Sequence, residues 1–405
     1  MRNMQDETKQ APTQAAPVRT HFALALFLLL GGVISAAQLG KAFVAMPLLQ
    51  AEMNLGITVV SFIIATFATL GATLGLGTGL VLRRIGGRRS LVGGMVVMAA
   101  GSLLGATAEN PALLMASRIV EGIGFLAAVI VIPDLIGIVA SGRDRNFFFG
   151  LWGTFLPTGS ALMLLLGPLL PIVGWRALWL SQAFVALAYA GAVLVLLPRP
   201  VQGPAIAAPS LSATARKVRA DRASVLLAAV FGFYTFQYFI LAGFLPVLLV
   251  GTLGLPLSTA TLFTAGVVTA NAMGNVCAGL LSRAGFPLWI SMSASLSGYA
   301  LSAPLIYSFG LPAGSVALIA SLTIGIAGLL PGSVFAAVPR LVRPELVTPT
   351  MGLIQQASNV GQFLGPVAAG LFVSRFGWAA IPALLVPAVL VGLTAVFLLK
   401  PKLSS

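Results

Sequence analysis

The chain has 405 residues, 58% of them hydrophobic and 8% charged, with 45 glycines and a net charge of +14. An average globular domain carries about 25% charged residues, so polar side chains are too few here to cover a water-facing surface of this size. A water-soluble enzyme and a secreted protein are excluded, and lipid becomes the main solvent.

Met1 to Thr20 is polar and reads as a disordered tail, within a terminal segment 1–21. A bilayer core about 30 Å thick takes about 20 apolar residues in a helix. Runs of that kind are predicted at 22–47, 57–82, 90–108, 112–139, 147–171, 176–198, 224–250, 258–281, 287–309, 313–338, 350–374 and 378–399. The fold class is therefore an all-α membrane protein of twelve transmembrane helices. The first run is too long for a cleavable signal peptide. The one long polar gap, 199–223, is rich in Pro, Ala and Arg and reads as a cytoplasmic, protease-sensitive linker. It divides the chain into six-helix bundles at 22–198 and 224–399, with a short tail at 400–405. Gly150-Leu151, Gly167-Pro168 and Gly174-Trp175 recur as Gly352-Leu353, Gly365-Pro366 and Gly377-Trp378, a faint repeat at an offset near 200. Repeated halves of a transporter place the substrate site near the midplane between them.

The basic residues orient the chain. With the N-terminus inside, Arg2, Lys9, Arg19, Arg83, Arg84, Arg88, Arg89, Arg143, Arg145, Arg199, Arg216, Lys217, Arg219, Arg222, Arg283, Arg340, Arg343, Lys400 and Lys402 are cytoplasmic. Only Arg176 and Arg375 fall on the other side, and Lys41 and Arg118 lie within spans. Both termini are thus expected in the cytoplasm of a cell whose plasma membrane holds the protein. Cations spread over short loops do not form the face or stripe a nucleic-acid binder needs, so no nucleic-acid partner is expected.

A single cysteine, Cys277, and a single histidine, His21, cannot build a zinc site, and no metal or cofactor is expected. His21 reads as interfacial. The only Gly-Lys pair, Gly40-Lys41, is followed by Ala42, so there is no ATP-binding loop. Gly122-x-Gly124-x-x-Ala127 mimics a dinucleotide fingerprint but lies inside an apolar helix instead of after a strand. Gly71, Gly75, Gly77 and Gly79 in span 2, and Gly361 and Gly365 in span 11, have the small-residue spacing that lets helices approach closely in lipid.

Gly79-Leu-Val-Leu-Arg-Arg-Ile-Gly-Gly-Arg-Arg89, between spans 2 and 3, resembles the G-x-L-x-D-R-x-G-R-R signature of the major facilitator superfamily. Gly279-Leu-Leu-Ser-Arg-Ala-Gly285 repeats it weakly after span 8. Arg118-Ile-Val-Glu-Gly-Ile-Gly124 in span 4 is similar to that family's R-x-x-Q/E-G-x-G motif. Gln38-Leu-Gly-Lys41 and Trp152-Gly-Thr-Phe-Leu-Pro157 look like its branch related to cyanate and nitroimidazole transporters. Two departures stand out. Arg83 replaces the signature's Asp, which puts that family's charge latch in doubt. Gly167-Pro168 is followed by Leu-Leu-Pro-Ile, which breaks the antiporter pattern of span 5.

Four ionisable residues fall inside spans: Lys41, Arg118, Glu121 and Asp134. Each costs about 2.5–3.5 kcal/mol at a helix centre. Arg118 and Glu121, three residues apart, share a face and form either a pair that only locks span 4 or a cavity-lining pair that answers to solute and proton. With Pro47 as the outer end of span 1 and Pro111 as the outer start of span 4, Lys41 and Arg118 lie at similar depth, roughly 9–10 Å in. The resemblance implies that spans 1, 4, 7 and 10 line a central cavity. There Lys41, Gln38, Arg118 and Glu121 would form a cluster of net charge +1 suited to a small anion, with Lys41 on the cavity wall and Glu121 coupling a proton. Tyr234, Gln237 and Tyr238 share a face of span 7 and are further candidate solute contacts. Asp134, about 220° around span 4 from Glu121, is a candidate gate, together with Arg83, Arg84 and Arg88. Gln355, Gln356, Asn359 and Gln362 in span 11, and Asn271 and Asn275 in span 8, are expected to bond between helices.

The expected function is secondary active transport of a small anionic solute, by a monomer, with the bilayer as its surroundings and a proton as candidate coupling ion. A proton-driven drug or metabolite exporter is the alternative. A membrane sensor or enzyme without transport is the alternative from another class.

Overall fold

A computed structural model of the chain describes residues 20–73, 78, 82, 85–198 and 211–403. Every predicted apolar run is mostly helical over its described residues, with turns at its ends or at one internal break. Span 1 is Phe22–Met53. Span 2 is Ile57–Ala65, carried on by the tighter turn Thr66–Ala68 and helical to residue 73. Spans 3 and 4 are Gly87–Ala106 and Pro111–Val139. Span 5 comes in two pieces, Gly142–Trp152 and Phe155–Leu165, and span 6 is Leu170–Leu196. Spans 7, 8 and 9 are Arg222–Gly251, Leu257–Arg283 and Leu288–Tyr307. Span 10 is Ala313–Ala327 with Leu329–Leu341, span 11 Val347–Phe376 and span 12 Ile381–Leu403. Among the described residues, eight helices are individually long and apolar enough to cross a bilayer, one of them the joined Phe155–Leu196; spans 2, 9 and 11 are not among the eight.

Local chemistry sets the helix ends. Asn110 caps span 4 by accepting from the Leu113 N–H at 2.9 Å, with Pro111 in the first turn, where its missing N–H costs nothing. Asp221 caps span 7 through the Ser224 N–H at 2.9 Å. Span 1 does not stop at Pro47, as the sequence reading expects. It runs on to Met53 and ends where Asn54 turns left-handed (φ 51°), a conformation that asparagine tolerates. Lys41 therefore lies twelve residues, about 18 Å, from the end of its helix, deeper than expected.

The repeat is visible in the backbone. Gly174 (φ 75°, ψ 160°) and Gly377 (φ 74°, ψ 176°) share one unusual conformation, each directly before a tryptophan. Only glycine adopts it without strain. The second pair diverges: Gly167-Pro168 opens a short 3-10 turn, whereas Pro366 stays inside the helix of span 11.

Spans 1–6 pack among themselves, as do spans 7–12, and the two sets meet along span 2 with 11, span 5 with 8 and span 1 with 7. Phe43 and Phe239 meet edge to face at 5.8 Å between spans 1 and 7. Glycines make the other two seams close. Gly370 faces Ser61, Gly71 faces Asn359 and Gly167 faces Thr261. Part of the expected linker, Leu211–Ala220, is a short helix. Residues 199–210, the tail 1–19, Gly75, Gly77, Gly79, Arg83 and Arg84 lie outside the described residues.

Candidate functional site

Lys41, Gln38, Arg118 and Glu121 converge, and all four are fully buried. Span 1 supplies Gln38 and Lys41 one turn apart, and span 4 supplies Arg118 and Glu121 one turn apart. The Lys41 ammonium donates to Gln38 Oε1 at 2.5 Å, Glu121 Oε1 at 2.5 Å and Ser102 Oγ at 2.7 Å. Three N–H donors meet three acceptors, so the ammonium is saturated. Ser102 can give its single proton either to Glu121 Oε1 at 2.9 Å or to Gln38 Oε1 at 3.0 Å. Arg118 Nη1 donates to the Gln38 backbone carbonyl at 2.8 Å and to Glu121 Oε2. Two rings flank the cations: Trp179 lies 4.8 Å from Lys41 Nζ and Phe67 lies 4.4 Å from Arg118 Cζ.

Ser102, Trp179 and Phe67 escape the sequence reading. A signal for Ser102 exists in its flanks. Gly101 and Gly105 bring span 3 so close to span 4 and span 6 that a Cβ at Gly101 would lie 2.7 Å from Glu121 Cγ.

The charges do not balance. Two cations face one carboxylate, and each Glu121 oxygen is engaged. The cluster atoms without a partner are Arg118 Nε, Arg118 Nη2 and Gln38 Nε2. All three are nitrogen donors. Nε and Nη2 form one edge of the guanidinium, the fork that binds a carboxylate or another planar oxyanion through two parallel hydrogen bonds.

Burial corrects one expectation. Lys41 does not stand on an open cavity wall. It is enclosed, with three partners, so Lys41→Ala leaves Glu121, Ser102 and Gln38 short of a donor. Because Glu121 keeps Arg118, the expected loss is near the lower end of the roughly 3–5 kcal/mol seen when a buried pair is broken. Thermal unfolding of the purified variant reads it.

The remaining candidates lie elsewhere. Tyr234, Gln237 and Tyr238 are buried in span 7. Tyr234 OH accepts from Asn271 Nδ2 at 3.2 Å, and Gln237 Nε2 donates to the Phe233 carbonyl at 2.9 Å. The described contacts join none of the three to the Lys41 cluster. Tyr234 looks into its own bundle, toward span 8. Asn271 also donates to the Ile324 carbonyl of span 10 at 3.0 Å, the interhelical bonding expected of it. Gln356 Nε2 reaches the Ala72 carbonyl of span 2 at 3.0 Å. Arg88 donates through Nε to Val193 O at 3.5 Å and through Nη2 to Leu194 O, at the last turn of span 6, where a cation complements the helix dipole. Asp134 is exposed near the far end of span 4. Arg83 and Arg84 are outside the described residues. His21 is exposed at the start of span 1.

Comparison with known proteins agrees with this architecture. A bacterial homolog of the human lysosomal transporter Spinster, solved in an inward-facing and unoccupied conformation, superposes with a TM-score of 0.72 over 96% of both chains at 17% identity. The probable nitrate/nitrite transporter NarK2 of Mycobacterium tuberculosis is 28% identical over 340 residues, 79% of this chain and 81% of that one. The methylenomycin A resistance protein of Bacillus subtilis is 26% identical over 172 residues. The chain spans 36% of the length of that resistance protein, and 33% of an uncharacterized M. tuberculosis transporter, EfpA, which it also matches. Residues 28–356 match the Major Facilitator Superfamily as a family. Twelve helical runs in two packed sets among the described residues, a glycine-tryptophan turn repeated between them and this match over most of the length lead to one conclusion: the chain is a multi-pass membrane protein that belongs to the major facilitator superfamily.

Proposed function

We propose that the protein is a secondary active transporter of a small anion in the plasma membrane, working by alternating access between bundles 22–198 and 224–399. Both termini and the 199–223 linker face the cytoplasm, as the distribution of Lys and Arg requires. The observation that carries this reading is the unpartnered donor edge of Arg118 in a cluster with one excess positive charge. A buried donor left unmade costs about 1–3 kcal/mol, more when charged, and an entering oxyanion removes that cost. The similarity to a nitrate/nitrite transporter along four-fifths of its length supports the same class of solute.

Glu121 supplies the coupling. As a carboxylate it occupies Arg118 Nη1 and Lys41 Nζ. A proton on Glu121 raises the cluster from +1 to +2 and loosens both donors toward the anion. Proton and anion then favour each other's binding by the same factor, which couples their movement in one direction.

Counterflow in proteoliposomes, run with a panel of small oxyanions and carboxylates, tests this. At least one should be exchanged, and Arg118→Lys, which keeps the charge but loses the planar fork, should weaken its half-saturation at least tenfold. Absence of exchange for every anion, with proton-driven accumulation of an organic cation in inverted vesicles, would replace this reading with the exporter.

A further inference from the structure

Spans 7 and 11 leave an apolar groove along one side of their contact, lined by Ala228, Gly232 and Phe236 from span 7 and by Ala357, Val360 and Leu364 from span 11. The groove faces lipid. Val360 and Leu364 are 38% and 49% exposed, whereas Ser358 and Gln362, on another face of the same helix, are buried and bonded to each other. Tight backbone contact forms its floor, where Gly361 meets the Gly232 carbonyl.

A cluster of cations stands at one end of the groove. The helix Leu211–Ala220 packs on the same two spans, with Val218 buried. Its Arg216, Lys217 and Arg219 are exposed, as is Arg222 at the start of span 7. The nearby acids are engaged elsewhere. Asp221 accepts from the Ser224 N–H and hydroxyl, and Glu345 pairs with Arg343 at 3.9 Å. No carboxylate among the described residues lies within ion-pair distance of the four cations.

Length ties the two features together. Ala228 lies six residues beyond Arg222, about 9 Å along the helix, and Phe236 lies fourteen residues beyond it, about 21 Å. Half a bilayer with its headgroups measures about 20–22 Å. One lipid whose headgroup sits among these cations can therefore lay an acyl chain in the groove as far as the midplane.

We propose that this groove and its basic rim bind one anionic phospholipid. The groove alone does not choose between lipids, because acyl chains are as apolar as its walls. The choice comes from the cations, each of which attracts an anionic headgroup. The neighbouring face of span 11 carries Gln356 and Asn359, which close on span 2, so a lipid in the groove braces the helix pair that forms this seam. The site is independent of the solute and of the Arg118 cluster.

Native mass spectrometry of the full-length protein, released from bilayers of equal phosphatidylglycerol and phosphatidylcholine, tests the proposal. Wild-type protein should retain one phosphatidylglycerol with at least tenfold preference. The triple variant Arg216→Gln, Lys217→Gln, Arg219→Gln should fall below twofold preference. Val360→Trp, which fills the groove from its exposed rim, should lose the retained lipid of either kind with an unchanged melting temperature; Leu364→Trp makes the same test one turn further on. Equal retention of both lipids by wild type overturns the proposal, as does a preference that survives the triple variant. Selective retention that survives both groove-filling variants overturns it too, since the basic patch would then act without the groove.

Discussion

Arg118→Gln and Glu121→Gln, made singly, should each destabilise the protein strongly, and made together they should recover part of the lost stability without restoring transport. Glu121→Gln leaves the Lys41 and Arg118 charges buried with no carboxylate between them; Arg118→Gln leaves Glu121 with Lys41 alone and two backbone and side-chain acceptors short of a donor. Breaking a buried pair typically costs about 3–5 kcal/mol, while replacing the whole pair by neutral groups of similar volume is often neutral or better. In the double variant Lys41 still holds Ser102 and Gln38 but is a buried cation without its carboxylate, so the double variant recovers only the part of the stability that the stranded Arg118 or Glu121 cost. Melting temperature and counterflow separate the roles. A pair that only locks span 4 predicts a folded double variant that still transports. A working site predicts a folded double variant that does not, because the donor fork and the protonatable carboxylate are both gone. Full transport activity in the double variant would make the pair structural.

Much of this cluster is legible in the sequence because lipid makes polar residues conspicuous. In a chain with 8% charged residues, an arginine and a glutamate one helical turn apart inside an apolar run must find each other, and a lysine in another run must find a partner. Ser102 is not legible by the same logic, since a serine can satisfy itself on its own helix, as Ser117 does through the Leu114 carbonyl at 2.7 Å. The direction in which Tyr234 faces is also hidden. Its spacing from Gln237 and Tyr238 fixes a shared face of span 7, but which neighbour that face meets depends on how span 7 is rotated in its bundle. The end of span 1 is hidden because proline usually stops a helix; here the helix passes Pro47 and stops at a left-handed asparagine. In the linker helix Leu211–Ala220, Leu211, Ala215 and Val218 stand at helical spacing and Val218 is deeply buried, but ten residues after a Pro-rich stretch are too short a run to set the helix apart from the gap around it.

Gly370→Leu should abolish transport while leaving each bundle folded. Gly370 sits where span 11 crosses span 2, and a Cβ there would collide with the Ser61 side chain and lie 3.2 Å from the Ile57 carbonyl. Gly167, where span 5 meets span 8, faces Thr261 in the same way. Both seams join one bundle to the other, so a bulky side chain can be accommodated by parting the bundles, and no bundle core has to be repacked. Gly122 provides the contrast. A Cβ there would strike the Phe67 backbone carbonyl, between spans 2 and 4 of one bundle, where close-packed backbone cannot yield. Gly122→Leu should therefore lower the melting temperature and the yield of folded protein. Gly370→Leu should melt near wild type, hold the bundles apart at this seam and lock the transporter with the seam open. Spin labels on the exposed ends of spans 2 and 11 would report a longer distance in Gly370→Leu than in wild type, with a single population where wild type shows exchange. Wild-type transport by Gly370→Leu would mean that this seam does not have to close during the cycle.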